Sequence, residues 1–174
     1  LRMESMRYNT PMKTMRGIVV VIITCASSAL GQTNGLEAPL NKVVGTETEG
    51  FQLSIVLSNT VFRKDEDIIA TLILKNVSTN IGKVPFNDAF ANYRLELVEA
   101  GRQNVPPSEV GRRLLDAKPH YHTGSRQLYP GLTYVTDVFL NRMFVMTNSC
   151  DYTFSASREV LRLGSSQERI WVSA

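Results

Sequence analysis

Apolar and polar residues alternate with a period of two over most of the chain from residue 51 onward. In Phe51–Leu57 every second residue is large and apolar; residues 93–97 follow the same rule, and so do residues 132–140 apart from Thr136. Alternation of this kind predicts strands that have one face in a core and the other in solvent. Residues 68–77 are apolar on both faces, which predicts a strand in the middle of its sheet.

Turn-forming residues separate these segments, and no convincing amphipathic helix pattern lies between them. Pro130 and Gly131 predict a tight turn, with Pro at its first central position and Gly at a positive φ. About seven short strands at this spacing are typical of an antiparallel sandwich, so residues 51–174 are predicted to form an all-β, immunoglobulin-like domain. Tyr152, at the head of a late strand, is a candidate tyrosine-corner residue.

Three stretches lack the alternation and are predicted to be irregular. Residues 32–50 are polar and rich in Gly, Asn and Thr, and they are predicted to be a flexible lead-in. Residues 78–92 contain Gly, Pro and Asn and are predicted to be a loop. Residues 106–124 form the longest irregular stretch, with one helical turn expected around Gly111.

The N-terminal region has the order of features of a secretory signal peptide. A short basic segment at residues 12–16 precedes an apolar run at residues 17–26, and small or polar residues follow. This order predicts a signal peptide over residues 12–31, cleaved before Gln32 or before Leu30. Residues 1–11 are interpreted as an over-extended start. The expected location is the periplasm or the extracellular space.

Two alternatives to cleavage are an uncleaved anchor and a lipoprotein. A spanning helix needs roughly 20 apolar residues, and the strongly apolar run here is about half that length. A lipoprotein would be acylated on Cys25, but Ile22 and Thr24 stand where a lipobox has Leu and a small residue. Cleavage is therefore the prediction, with no stable membrane insertion afterwards.

Positive and negative charges balance once the predicted leader is set aside. The chain has 19 Lys and Arg and 16 Asp and Glu, and residues 1–31 hold four of the basic and one of the acidic residues. The remainder has no net charge, so binding of nucleic acid is not expected. Cys150 is then the one cysteine left, which excludes an internal disulfide and predicts a half-buried, inert thiol or a disulfide between chains.

The order of several short motifs resembles a known kind of protein. The charged turn at residues 64–66 leads into a strand ending at Ser78, Tyr-Pro-Gly at residues 129–131 precedes a long strand, and Cys-Asp-Tyr-Thr-Phe opens another at residue 150. This order resembles exported bacterial proteins with a single immunoglobulin-like domain. More distantly it is similar to the intracellular proteinase inhibitor (BsuPI-like) family of Bacillus. The resemblance spans about residues 51–172 and implies the fold, but no functional residue is carried over.

The loop at residues 106–124 contains the candidate binding residues, because loops gather at the ends of a sandwich and carry its contacts. The candidates are Arg112, Arg113, His120, Tyr121 and His122. The two arginines, with Arg102 and Arg126, are interpreted either as a basic patch for an acidic partner or as scattered surface charges. The two histidines lack a third ligand with a sequence anchor, so no metal site is predicted.

Other candidate chemistry has a simpler structural interpretation. Asp-Glu-Asp at residues 65–67 lacks the full calcium-loop spacing and is interpreted as a solvated turn. Asn-Val-Ser at residues 76–78 has the form of a glycosylation site, which matters only in a eukaryotic secretory pathway. Trp171 and Tyr152 offer aromatic surface for sugars, but both fall within predicted strands and are expected in the core.

The sequence lacks the familiar catalytic motifs for nucleophilic, zinc-dependent, phosphate-binding or dinucleotide-binding chemistry. We therefore expect a protein that is not an enzyme and that carries no cofactor. The leading hypothesis is an exported, non-catalytic binding module whose partner is another exported or envelope protein. The alternatives are a proteinase inhibitor acting through an exposed loop, and a domain that binds carbohydrate or the cell envelope.

Overall fold

The computed structural model describes residues 21–24, 41–63, 66–86, 90–100, 104–116, 124–148, 150–161 and 169–174. Within these ranges the chain forms ten strands and two short helices. The elements are β1 (Val21–Thr24), β2 (Asn41–Val44), β3 (Phe51–Leu57), β4 (Ile69–Asn76), β5 (Gly82–Phe86), β6 (Tyr93–Glu99), α1 (Glu109–Leu115), β7 (Gly124–Leu128), β8 (Thr133–Phe139), α2 (Leu140–Met143), β9 (Asp151–Leu161) and β10 (Arg169–Ser173).

Strands β2, β3, β4 and β8 form an antiparallel sheet in that order, here called sheet B. β3 pairs with β4 from Phe51 opposite Asn76 to Leu57 opposite Ala70, and β8 pairs along the other edge of β4. Strand β4 is therefore an interior strand, as its two apolar faces predicted. Its inward side chains are buried, while Ile73 on the outer face remains partly exposed.

Strand β9 organises the second antiparallel sheet, here called sheet A. β6 pairs with one edge of β9 over residues 152–158, and β10 pairs with the opposite edge over residues 157–161. β1 lies beside β9 at residues 151–154, on the same edge as β10. The hairpin of β5 and β7 joins the sheet through the pairing of Lys83 with Leu161.

The path of the chain between the two sheets is immunoglobulin-like. Strands β3, β4 and β8 take the places of strands A, B and E of that fold, and β6, β9 and β10 take the places of C, F and G. The predicted all-β sandwich is confirmed. Ten strands are present in the described residues instead of about seven, because β1, β2 and β5 were not expected as strands.

Two of the extra strands lie in stretches that the sequence pattern predicted to be irregular. β2 lies within the predicted lead-in and pairs with β3, so the sheets begin before Phe51. β5 lies within the predicted loop at residues 78–92, and that prediction was wrong for Gly82–Phe86. Neither segment alternates clearly, and Pro85 sits inside β5, where a proline usually indicates loop or an edge strand.

The core fills the space between the two sheets with the inward-facing residues of both. Leu53 and Leu72 of sheet B are fully buried, as are Leu97 and Phe154 of sheet A, and all four belong to one core cluster. Burying one such side chain contributes about 1.5–3 kcal/mol relative to its exposed state. The apolar positions of the alternation are therefore the side chains that fill the core.

Asn76 joins two turns at one end of the sandwich. Its side-chain Nδ2 donates to the carbonyl oxygens of Asn80 and Leu128, both at 2.8 Å, and its Oδ1 accepts from the Ser78 hydroxyl at 2.7 Å. Asn76 is fully buried, so this copy of the glycosylation motif is not accessible to a glycan-transferring enzyme. The adjoining turn has Gly131 at a φ of 79°, as its Pro-Gly sequence predicted.

The described part of the N-terminal region is β1, which falls inside the predicted apolar run of the signal peptide. The remaining residues of the predicted leader lie outside the described residues, so the signal peptide stays a prediction. Among the described residues, no helix is long and apolar enough to cross a bilayer.

Candidate binding site

The structure places Arg112 and Arg113 on α1, a helix of seven residues rather than the single turn predicted. Both side chains are exposed, and Arg113 forms an ion pair with Glu109 one turn earlier. Exposed pairs of this kind contribute little to stability. The other three candidates, His120, Tyr121 and His122, lie outside the described residues, so the structure does not bring them together with the arginines.

Helix α1 is attached to α2 through its first turn. Ser108 caps the helix by accepting a hydrogen bond from the Gly111 amide at 2.9 Å, and its own amide donates to the Met143 carbonyl at 2.8 Å. Gly111 is buried at this contact. A Cβ at this position would lie 2.0 Å from the Met143 carbonyl oxygen, so a larger residue would not fit without a shift of the backbone. The two arginines therefore stand on a docked helix.

Residues 66 and 67, the described part of the acidic turn, are engaged by protein groups. Asp67 binds Arg142 through two contacts, Nη2 to Oδ2 at 2.7 Å and Nε to Oδ1 at 3.3 Å. Glu66 accepts a hydrogen bond from the Arg63 amide at 3.2 Å. Among the described residues, no group of three or more His, Cys, Asp or Glu side chains is arranged to hold a metal ion.

Cys150 belongs to a hydrogen-bonded corner that also contains Tyr152. The thiol is half-buried, as predicted, and donates to Glu99 Oε1 at 3.3 Å, while Asn148 Nδ2 donates to the same oxygen at 2.8 Å. The Tyr152 hydroxyl donates to the Asn148 carbonyl at 2.8 Å, which confirms the predicted tyrosine corner. Burial, together with the neighbouring Cys150, raises the pKa of Tyr152 to about 12.

A polar surface lies on the outer face of sheet A, across strands β6, β9 and β10. We call it the Arg94–Trp171 face, and its members are Arg94, Glu96, Ser155, Ser157, Glu159, Arg169, Trp171 and Ser173. At its centre the Arg94 guanidinium carbon lies 3.9 Å from the centroid of the Trp171 ring. This stacking spans the small residues of β9, since Arg94 and Trp171 come from the strands on either side.

The rest of the Arg94–Trp171 face is held by short contacts across β9 and β10. Arg169 and Glu159 form an ion pair at 3.2 Å, in which the carboxylate is largely buried. The hydroxyls of Ser157 and Ser173 lie 3.0 Å apart. Within the described part of the chain Arg94 forms no ion pair. An arginine stacked on an aromatic ring is well ordered for binding a carboxylate through two hydrogen bonds.

The expectation that Trp171 serves the core was wrong. Val172 and not Trp171 points inward, because the inward positions of β10 are those in register with the buried positions of β9. The apolar run at residues 170–172 is too short for alternation to assign its faces. One residue of this face was predictable from the sequence. Arg94 lies between Tyr93 and Leu95, which are buried, so the alternation places Arg94 on the outer face.

A second cluster lies between the sheets, around Arg158. This arginine is 2 % exposed, and its guanidinium carbon lies 4.4 Å from the Tyr93 ring centroid and 4.2 Å from that of Tyr134. The Tyr93 hydroxyl and Thr136 Oγ1 are 2.9 Å apart, which links the two sheets. The sequence pattern did not predict a buried Arg158, because a charged residue at an inward position of a strand departs from the alternation.

Comparisons of the chain with protein-family models, with curated proteins and with solved structures found no match. A functional hypothesis therefore depends on the chemistry of the surfaces described above.

Proposed function

We propose that the protein is an exported, non-catalytic binding module that holds a protein partner on the Arg94–Trp171 face. The observation that carries the proposal is the stacking of the Arg94 guanidinium on the Trp171 ring at 3.9 Å, on a face where neither residue is needed by the core. Trp171 is partly exposed and lies outside the core, so part of the indole is within reach of a partner.

The residue types on this face support a protein partner. Trp and Arg are the side chains most enriched among residues that dominate binding energy at protein interfaces. Arg94 is the centre of the proposed contact, because its N–H edges suit a carboxylate of the partner. The face carries both signs of charge, Arg94 and Arg169 with Glu96 and Glu159, which favours a partner of mixed charge over a polyanion.

The partner is proposed to be another exported or envelope protein, since the predicted signal peptide would direct the chain to the same compartment. The immobilised protein is incubated with an envelope extract, and the captured protein is identified and then produced in pure form. Its affinity is compared for the wild-type chain, Arg94→Ala, Trp171→Ala and Arg94→Lys. We expect each substitution at the centre to weaken binding at least about tenfold.

Arg94→Lys discriminates between charge and geometry, because lysine keeps the positive charge but loses the planar fork. The matched control is Arg113→Ala on α1, an exposed arginine outside the Arg94–Trp171 face, whose affinity should equal that of the wild type. Folding of each variant is checked by circular dichroism. Unchanged affinity in Arg94→Ala and Trp171→Ala would rule out this face, and a loss in Arg113→Ala would return the site to the loop at residues 106–124.

Carbohydrate binding is a second candidate, favoured by the position of Trp171 outside the core. A partly exposed indole offers stacking surface, and the serines of β9 and β10 offer hydroxyl groups beside it. A glycan array with the wild-type protein and Trp171→Ala tests it. Binding that disappears in the variant supports a sugar ligand, and an array without signal counts against it.

The proteinase-inhibitor alternative needs an extended, exposed loop. Residues 109–115 of the longest predicted loop are helical and docked on α2, so this segment does not form such a loop. Incubation with a panel of serine proteases is the direct test, and full protease activity at micromolar protein concentrations would exclude it.

A further inference from the structure

Arg158 is a charged residue at a position that the fold reserves for the core. It lies on β9 in register with Tyr93 on one side and Val172 on the other, and its side chain points between the sheets with those of Ala156 and Val160. The side chain is 2 % exposed. An arginine is almost never fully buried unless a partner neutralises it.

The rings around Arg158 attract its charge but do not satisfy its N–H groups. Tyr93 belongs to sheet A and Tyr134 to sheet B, so one aromatic ring from each sheet lies against the guanidinium. Cation–π attraction of this kind acts through the ring face. The five N–H donors of a guanidinium lie in its plane, and they still require acceptors.

Those donors are mostly unmet among the described residues. Nη2 reaches the Pro85 carbonyl oxygen only at 3.5 Å, and the buried Nε and Nη1 have no hydrogen-bond partner in the described part of the chain. No carboxylate of these residues forms an ion pair with Arg158, and the adjacent Glu159 is bound to Arg169 on the outer face. Burying an uncompensated charge is costly, so the arrangement calls for an acceptor.

We propose that Arg158 is the binding group of an anion site between the two sheets, and that the site takes a small oxyanion such as a carboxylate or a phosphate group. The guanidinium supplies two N–H edges, each of which includes one of the unmet nitrogens, and either edge can hold two oxygens of such a group. The neighbouring hydroxyl of Tyr93 adds a polar group at the same place.

Access to this site is proposed to run past Tyr134. This residue is half-buried on β8, which pairs with β4 on one edge and with no described strand on the other. The Tyr134 ring thus contacts the guanidinium and is itself partly open to solvent. The site is independent of the Arg94–Trp171 face, which lies on the opposite side of β9.

The test is thermal unfolding of the purified protein in a zwitterionic buffer, with sodium phosphate in one series and sodium acetate in another. The variants are Arg158→Met, which keeps the length of the side chain without its charge, and the control Arg126→Met on the exposed face of β7. We expect the anion to raise the midpoint of the wild type and of Arg126→Met by about 4 °C at ten times its dissociation constant. Arg158→Met should show no such rise.

The series without anion gives a second expected result. Arg158→Met should unfold at the same temperature as the wild type or above it, because the variant no longer buries an unpaired charge. An equal rise of the unfolding midpoint in all three proteins would mean that the anion stabilises them only as a general salt, and it would overturn the proposal. Should Arg158→Met fail to fold, titration calorimetry of the wild type decides, and no saturable heat with phosphate or acetate at millimolar concentrations would also overturn it.

Discussion

At the scale of single residues, the Tyr152 hydroxyl determines how the chain turns into β9. It donates to the Asn148 carbonyl four residues earlier, and Asn148 in turn is tied to Glu99 on β6. One side chain thus joins the start of the central strand of sheet A to the end of its neighbour. The Tyr152 side chain is 2 % exposed, whereas Asn148, whose carbonyl it satisfies, is an exposed residue.

Replacement of Tyr152 by Phe should lower the free energy of unfolding by about 1–2 kcal/mol near neutral pH, through the loss of this hydrogen bond. The measurement is urea unfolding followed by circular dichroism. Tyr129→Phe is the matched control, because Tyr129 is 48 % exposed and its hydroxyl binds only the side chain of Gln127. Equal losses in the two variants would contradict a special role for the corner.

The same tyrosine makes stability depend on alkaline pH. A tyrosine in the unfolded chain has a pKa of 10.0, while the folded Tyr152 has a pKa of about 12. The folded state therefore holds the proton more tightly, and its stabilising contribution is complete below pH 10 and lost as the pH rises to about 12. Over this window the stability of Tyr152→Phe should therefore decline less than that of the wild type.

Part of that alkaline decline should remain in Tyr152→Phe, since burial also raises the pKa of Tyr93. The check is a series of unfolding curves at increasing pH for the wild type and the variant. Parallel decline in both proteins from pH 10 upward would mean that Tyr152 ionises as readily in the folded state as in the unfolded chain.

The positions of some single residues could be predicted from the sequence, and those of others could not. Tyr152 was predictable, because a tyrosine after a turn at the head of a strand is a local signal. Trp171 was not, since three apolar residues in a row do not say which of them points inward. Arg158 was not either, because its burial depends on Tyr93 and Tyr134, which approach it from distant parts of the chain.

At the scale of elements, α1 and α2 form a small unit at one end of the sandwich, and Gly111 is what allows their contact. The helix lies so close to α2 that the Met143 carbonyl occupies the space of a side chain. The candidate arginines follow directly on the next two positions, so the same contact sets the direction in which they project.

Gly111→Ala separates helix propensity from packing. Alanine favours the helix by about 1 kcal/mol, but its Cβ would lie 2.0 Å from a backbone oxygen that cannot move aside easily. We expect the steric overlap to outweigh the gain in helix propensity, with a net loss of about 1–2 kcal/mol in the free energy of unfolding. Gly124→Ala is the control, since nothing lies within 4 Å of its Cβ position, and it should leave stability unchanged or slightly higher. A gain of stability in Gly111→Ala would argue against the close contact.

Elements with strong alternation were predictable, and those without it were not. β3, β4, β6, β8 and β9 show the alternation over most of their length, and all of them are strands. β5 contains a glycine and a proline and depends on pairing with β7 and β9, so its strand character comes from partners distant in sequence. The structure of the candidate loop at residues 106–124 was only partly predictable, because α1 is held in place by its contact with α2, which comes later in the chain.

At the scale of the whole molecule, both sheets share one core, so neither sheet should unfold alone. Leu72→Ala in the interior of sheet B removes a fully buried side chain and should cost about 3 kcal/mol. Trp171, the single tryptophan, lies on sheet A and reports on that sheet by fluorescence. We expect the fluorescence midpoint in urea to fall by the same amount as the circular dichroism midpoint.

Val135→Ala on the outer face of β8 is the control for that experiment. Val135 is 55 % exposed, so its truncation should change the free energy of unfolding by less than about 0.5 kcal/mol. Two separate transitions in Leu72→Ala, one seen by fluorescence and the other by circular dichroism, would contradict a shared core.

The position of β9 in the sheet also has a consequence for the order of synthesis. Among the described residues, β6 finds its only strand partner in β9, more than fifty positions later in the chain. Sheet A therefore cannot close around its core until residues 151–161 have left the ribosome, and contacts so far apart in sequence form slowly. Until then, the inward side chains of β6 have no strand beside them and stay exposed on the growing chain.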